Sequence, residues 1–218
     1  MEIDRIKEYL TSNNSQERMK AITELRNYDS EVAVPLLLSA IKDEEFLVRS
    51  FVAMGLGRKR NSESFAALLE LMKFDRDPNV RAEASNSLSF FGQVAAPHLV
   101  LSFNQDDHWL VRRSILAALL ELNCTEELFE VCACGIKGED LTVREACVEG
   151  FAFLASSVKQ KEALEQLISL LDEDWWRLRV RLAKALGKFD LPEAKEALYK
   201  LREDEDHRVV GAALEALV

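Results

Sequence analysis

The feature that most constrains this chain is a phrase that returns in fixed phase. "DPNVRAEASNSL" (77–88) places an acidic turn before Val-Arg and then small or apolar residues at helical spacing. The same order recurs in "DLTVREACVEGF" (140–151) and, more loosely, in "DHWLVRRSILAAL" (107–119). Arg18, Arg49, Arg81, Arg112, Arg144 and Arg179 are each followed three positions on by Ala21, Val52, Ala84, Ile115, Cys147 or Leu182. Seven positions on stand Leu25, Leu56, Leu88, Leu119, Phe151 and Leu186. A seventh copy puts Val210 in the arginine position, followed by Ala213 and Leu217. Successive copies are 31, 32, 31, 32, 35 and 31 residues apart, which is a repeat array.

Each copy carries a second apolar segment ahead of the acidic turn, as in "VAVPLLLSAIK", "SFAALLELMKF", "VAAPHLVLSF", "EALEQLISLL" and "EAKEALYKL". Both segments follow a 3.6-residue period and neither alternates as a strand does. The unit is therefore helix, acidic turn, helix, and one pair alone exposes its apolar face, so neighbours must stack. The expected fold is all-α, an α-solenoid of about seven helix pairs, read as one domain over residues 1–218. The pairs run roughly 1–28, 29–60, 61–92, 93–123, 124–157, 158–190 and 191–218. Asp77, Asp140 and Asp206 stand where an N-cap carboxylate meets free N–H groups, and Pro78 fits a first helical position. Pro35 and Pro97 are expected inside first helices, bending them. The repeat arginine is expected to pair with an acidic turn of its own or the next repeat, giving a ladder.

Helix pairs with a mid-repeat Pro, an inter-helix Asp and Val-Arg on the second helix resemble HEAT repeats over nearly the whole chain. "DDHWLVRRSILAAL" and "DEDWWRLRVRLAKALG" look more narrowly like the cyanobacterial, phycobilin-lyase-like HEAT-repeat branch. That branch holds E/F-type chromophore lyases, phycobilisome-degradation proteins and a HEAT-repeat protein that partners an A-type iron–sulfur carrier; the last is the nearest whole-chain likeness. The resemblance implies a non-enzymatic scaffold that grips an A-type iron–sulfur carrier on its concave face. The alternatives it implies are a lyase-like or chromophore-chaperone activity on phycobiliproteins and a phycobilisome-binding degradation adaptor. It implies no intrinsic cofactor, with an iron–sulfur cluster or a bilin carried by the partner.

The same resemblance implies that second helices line the concave surface. Positions one, five and nine after each arginine then face a partner, opposite the buried stripe. They are Met19, Thr23 and Asn27; Ser50, Met54 and Arg58; Ala82, Asn86 and Phe90; Arg113, Ala117 and Glu121; Glu145, Glu149 and Phe153; Val180, Lys184 and Lys188. Among them, Met54, Arg58, Asn86, Arg113, Glu145, Glu149 and Lys184 are the candidate partner-binding residues. Trp109, Trp175 and Trp176 precede second helices, and Trp109 with Arg112 and Arg113, or Trp176 with Arg177 and Arg181, has the hot-spot pairing of aromatic and guanidinium. Two successive tryptophans cannot both face one core.

A net charge of −10 argues against nucleic acid, which needs a basic face. "GRKRN" is read as cations complementing a helix end. No run of roughly 18 apolar residues occurs and no leader is evident, so no membrane insertion and a cytoplasmic setting are expected. There is no phosphate-binding Gly loop, G-x-S-x-G, H-E-x-x-H or CxxC. His98, His108 and His207 are far apart, with His98 expected as a satisfied core or turn residue. Of the four cysteines, Cys132, Cys134 and Cys147 are weak metal candidates: the first two lie about 200° apart on a helix, and either is expected to meet Cys147 across the repeat. Packing is their expected role.

Overall fold

A computed structural model describes all residues, Met1–Val218, as fourteen α-helices with three short 3-10 turns and no strand. The helices fall into seven antiparallel-type pairs in the phase of the repeat. They are α1 (Ile3–Leu10) with α2 (Ser15–Glu24), α3 (Ser30–Ser39) with α4 (Phe46–Lys59), and α5 (Ser62–Phe74) with α6 (Pro78–Ser89). Then come α7 (Ala96–Gln105) with α8 (Trp109–Leu122) and α9 (Thr125–Gly135) with α10 (Leu141–Phe153). The last are α11 (Gln160–Ile168) with α12 (Trp176–Leu186) and α13 (Pro192–Leu201) with α14 (His207–Ala216). The chain divides into two compact units, Met1–Leu122 with four pairs and Asn123–Val218 with three.

Within each unit the stripe read from the sequence is the core. Ala21, Val52, Ala84, Ile115, Cys147 and Leu182 are all at 0% exposure, as are Leu25, Leu56, Leu88, Leu119, Phe151 and Leu186. Second helices pack on second helices, α4 on α6 and α6 on α8 in the first unit, α10 on α12 and α12 on α14 in the second. Contact is close at two glycines. A Cβ on Gly57 would stand 2.7 Å from that of Ser87, and one on Gly150 would stand 2.4 Å from Cys132 Sγ, so neither site has room for a side chain.

Each second helix starts where its sequence says. Asp77, Asp140 and Asp206 accept from the backbone N–H groups of Asn79, Val143 and Arg208, capping α6, α10 and α14. Pro35 lies inside α3 as expected. Pro97 also lies within a first helix, but in its opening turn and not mid-helix: the 3-10 turn Gly92–Ala95 uses the preceding residues and α7 begins at Ala96, so the missing N–H of Pro97 costs nothing and no bend is required.

The ladder is continuous within each unit. Arg18 donates through two nitrogens to the Asp43 carboxylate at 2.7 and 2.9 Å, Arg49 to Asp75 at 2.7 and 2.9 Å, and Arg81 to Asp106 at 2.6 and 3.2 Å. The carbonyl of each of these acids then accepts from the arginine of its own repeat: Asp43 from Arg49, Asp75 from Arg81, Asp106 from Arg112. In the second unit Arg144 pairs with Glu173, whose carbonyl accepts from Arg179, and Arg179 grips Asp204 at 2.7 and 3.0 Å. These fork-to-fork pairs are mostly shielded from water; Arg49 and Asp75 are 5% and 6% exposed. Burial opposes ionisation of Asp75 and Asp204, but the guanidinium of Arg49 or Arg179 and a backbone N–H two residues on outweigh it, holding both carboxyls below their usual range. Arg112 is the exception. Its Nε reaches only the Asp106 carbonyl while its guanidinium lies 5.3 Å from the Phe103 ring, and 25 residues on in the sequence stands Lys137 instead of an acid.

Candidate functional site

With the repeat arginines committed to the ladder, the face left for a partner is the outward side of the second helices. In the first unit Met19, Thr23, Ser50 and Met54 are half-buried and Asn27, Arg58, Asn86, Phe90, Arg113, Ala117 and Glu121 are exposed. Ala82 is not on that face: it is 4% exposed, in the packing around α6. Phe90, at the C-cap of α6, is 51% exposed. Glu121 accepts from Ser89 Oγ at 3.1 Å, tying α8 to α6. Trp109 opens α8, 41% exposed, with its ring stacked on His108 at 5.9 Å. Arg112 does not join it in a partner-facing pair, because it is turned inward onto Asp106 and Phe103.

Between α2 and α4 this face opens into a cleft of about 140 Å³. Ile22, Leu25, Leu37, Phe51 and Met54 wall it, and Arg26, Arg58 and Lys59 stand at its mouth. The "GRKRN" motif supplies two of those cations at the end of α4, where Arg60 takes the left-handed C-cap conformation with φ 42°. Lys59 Nζ donates to the carbonyls of Arg26 (3.1 Å) and Tyr28, closing the end of the preceding pair.

In the second unit part of the outward charge is already matched, while Lys184 and Lys188 stand in no ion pair. Glu145 (half-buried) and Glu149 (exposed) on α10 both hold Arg181 of α12, Glu145 at 3.0 Å. Phe153, Lys184 and Lys188 are exposed on the same side. Trp175 and Trp176 are both half-buried. The Trp176 ring has the Arg208 guanidinium 3.3 Å from its centroid, and Arg208 is in turn held by Asp206 at 2.6 Å. Trp176 thus packs between successive second helices, with Arg177 at 5.4 Å on its own helix. The side chain of Arg208 also draws the Asp206 carboxyl well below its usual range.

The cysteines do not gather as a ligand set. Cys132 and Cys147 are fully buried, and burial first, then the neighbouring Cys147 thiol, push the Cys132 thiol well up. Cys134 points to solvent and does not meet Cys147. No group of three or more His, Cys, Asp or Glu side chains is placed to hold a metal ion. His98 is not in the core: it is exposed on α7, edge-on to Phe65 at 5.7 Å. With Leu69, Met72, Phe74 and Leu101 it lines a second cleft of about 430 Å³ on the first-helix side, a feature the sequence reading missed. Phe74 there, last residue of α5, is 71% exposed; its place in an apolar segment hid it.

Residues 34–120 and 132–218 match HEAT repeats. A curated relative, deoxyhypusine hydroxylase-B of Oryza sativa subsp. japonica, is 29% identical over 133 residues, 59% of this chain. The chain spans 44% of that relative's length. Among solved structures, the complex of CpcE and CpcF of phycocyanin lyase from Nostoc is similar at a TM-score of 0.53 and 20% identity, over 98% of this chain and 93% of that one. A chain in the structure of Kap95p with RanGDP reaches a TM-score of 0.71 at 14% identity, over 99% of this chain and 35% of that one. At such identities the structural likeness is one of fold. The match to a hydroxylase overturns the expectation of a chain without enzymatic activity, which is withdrawn. No helix is long and apolar enough to cross a membrane. The repeat phase, the helix pairs and the matched residues together place this chain in the HEAT-repeat family.

Proposed function

We propose that the chain recognises a protein partner through the outward faces of its second helices. The observation that carries this reading is the contrast between satisfied ladder residues and unengaged outward ones. Every repeat arginine is bonded to a turn, whereas Asn86, Phe90 and Arg113 are exposed and Met54 is half-buried at the wall of a cleft. Mixed apolar and charged lining of this kind suits a protein surface, and the net charge of −10 disfavours nucleic acid. The similarity to the phycocyanin lyase complex supports a partner from the phycobiliproteins, with a bilin as the partner's own group. The whole-chain resemblance supports an A-type iron–sulfur carrier in the same role. A phycobilisome degradation adaptor would use the same face. All three place the protein in the cytoplasm.

The test is affinity capture from a cyanobacterial lysate beside a variant carrying Arg113→Glu and Lys184→Glu, with partners identified by mass spectrometry. Recovery of one protein that the variant loses supports the reading, and its identity as a phycobiliprotein or an iron–sulfur carrier decides between partners. Incubation with free bilin, followed by its absorbance, reads the lyase-like alternative. Capture that the variant retains in full overturns the outward-face reading.

A further inference from the structure

We infer that the cleft between α2 and α4 is the seat for an acidic peptide segment of a protein partner, anchored by one aliphatic side chain. This rests on the outward-face reading and names the chemistry that one part of that face selects.

Three observations carry it. The walls are apolar, and at about 140 Å³ the space is well below the roughly 300 Å³ at which small-molecule pockets begin, so it admits a single side chain. The mouth is basic in a chain that is otherwise acidic. Arg18, Arg49, Arg81, Arg179 and Arg181 all hold carboxylates, whereas the nearest polar contact of Arg58 is the Met54 sulfur at 3.9 Å, and Arg26 and Arg60 stand in no ion pair. Lys59 is held by two backbone carbonyls, which fixes its charge at the rim without neutralising it. The acid nearest to Arg58 is Glu83 of α6. Burial pushes its carboxyl up, and although Ser87 Oγ and the charge of Arg58 act against that, Glu83 forms no ion pair with the arginine. A bare phosphate would leave the apolar walls unused. Carboxylates flanking a leucine-like side chain use both features, with charge steering the encounter and the apolar contact adding hold.

The probe is a fluorescein-labelled decapeptide of alternating Asp and Glu with one central leucine, its binding followed by anisotropy at low and at physiological salt. The expected result is saturable binding that weakens with salt. It should weaken about tenfold when serine replaces the leucine, the scale of one buried aliphatic side chain. Arg26→Glu with Arg58→Glu should weaken it by a similar factor or more, as should Met54→Ala on the wall; Arg113→Glu and Lys184→Glu should change it less than about twofold. Thermal melts by circular dichroism confirm that the exposed variants stay folded. The inference is overturned by no binding up to millimolar peptide, by equal affinity for the serine peptide, or by indifference to the Arg26 and Arg58 changes. Tighter binding to phosphatidylglycerol vesicles than to the peptide would also overturn it. Because the lysate test alters Arg113 and Lys184 outside this cleft, the two readings fail separately. A captured partner lost on those changes alongside a silent peptide removes only this inference, and the reverse result removes the wider one.

Discussion

The two units are built from one repeat yet treat their outward arginines differently, while Lys184 and Lys188 of the second unit stay unpaired. In the second unit Arg181 is shared between Glu145 and Glu149 and Arg208 is clasped by Asp206 over Trp176. In the first, Arg58 and Arg113 face solvent with no carboxylate, and Arg58 stands at the mouth of an apolar cleft. The core stripe is the same in both, and the ladder differs at Arg144, whose rung to Glu173 is less shielded. The repeat therefore dictates where a side chain points, and only the residue chosen decides whether that position closes on the protein itself or stays open to another molecule.

The largest test of this comparison lies in the ladder. Arg49→Ala leaves Asp75 as a lone shielded carboxylate and should cost about 3–5 kcal/mol. Arg144→Ala, whose pair with Glu173 has side chains 16% and 26% exposed, should cost less, about 1.5–3 kcal/mol. Urea unfolding followed by tryptophan fluorescence separates the units, since Trp109 reports on the first and Trp175 and Trp176 on the second. Equal costs would erase the difference in shielding. Acid adds a signed version. The depressed carboxyls of Asp75 and Asp204 contribute stability that is complete above the unfolded value near pH ~4 and is lost as pH falls through their folded values. Asp75→Asn should flatten that acid limb for the first unit and leave it for the second.

Next in size are the equivalent core positions Leu88 and Leu186, both at 0% exposure. Alanine at either should cost about 2–5 kcal/mol, and a marked disparity in the melts would show that the cores differ as the surfaces do. Gly150→Ala drives a methyl into Cys132 Sγ and should cost about 1–3 kcal/mol. Recovery of part of that loss on adding Cys132→Ala would confirm the clash; no recovery would place the strain elsewhere. The smallest effect belongs to the outward charges. Arg181→Ala should cost under about 1 kcal/mol, less at high salt, and Arg58→Ala close to nothing. A larger loss at Arg58 would mean that it serves folding and not recognition.

Most of the fold was legible because a helix repeat writes its phase directly into sequence. Six arginines and Val210 in the seventh copy marked the seven pairs, the arginines marked the buried stripe, and Asp77, Asp140 and Asp206 marked helix starts that the backbone bonds bear out. What escaped depends on neighbours. Pro97 moved to the start of α7 because a 3-10 turn consumed the residues before it. His98 sits in an apolar context that reads as core or turn, although its helix turns it outward onto Phe65. The outward residues were read one helix at a time, so the capture of Arg181 by two acids 32 and 36 positions earlier could not be seen. One signal was available and unused. An acid stands 25 or 26 residues after Arg18, Arg49, Arg81 and Arg179, and Lys137 breaks that rule after Arg112.

The ladder also sets where the repeat length can vary within this chain. From the turn carbonyl back to the arginine it serves, the separation is six residues at Arg18, Arg49, Arg81, Arg112 and Arg179. From arginine forward to the next acid it ranges from 25 to 29. One arm is a ruler at these five arginines and the other is slack; at Arg144 both lengthen, to eight residues back to the Ile136 carbonyl and 29 on to Glu173, so a residue inserted between Asp75 and Arg81 would disturb a fixed arm, while one inserted beyond Arg144 has a native precedent.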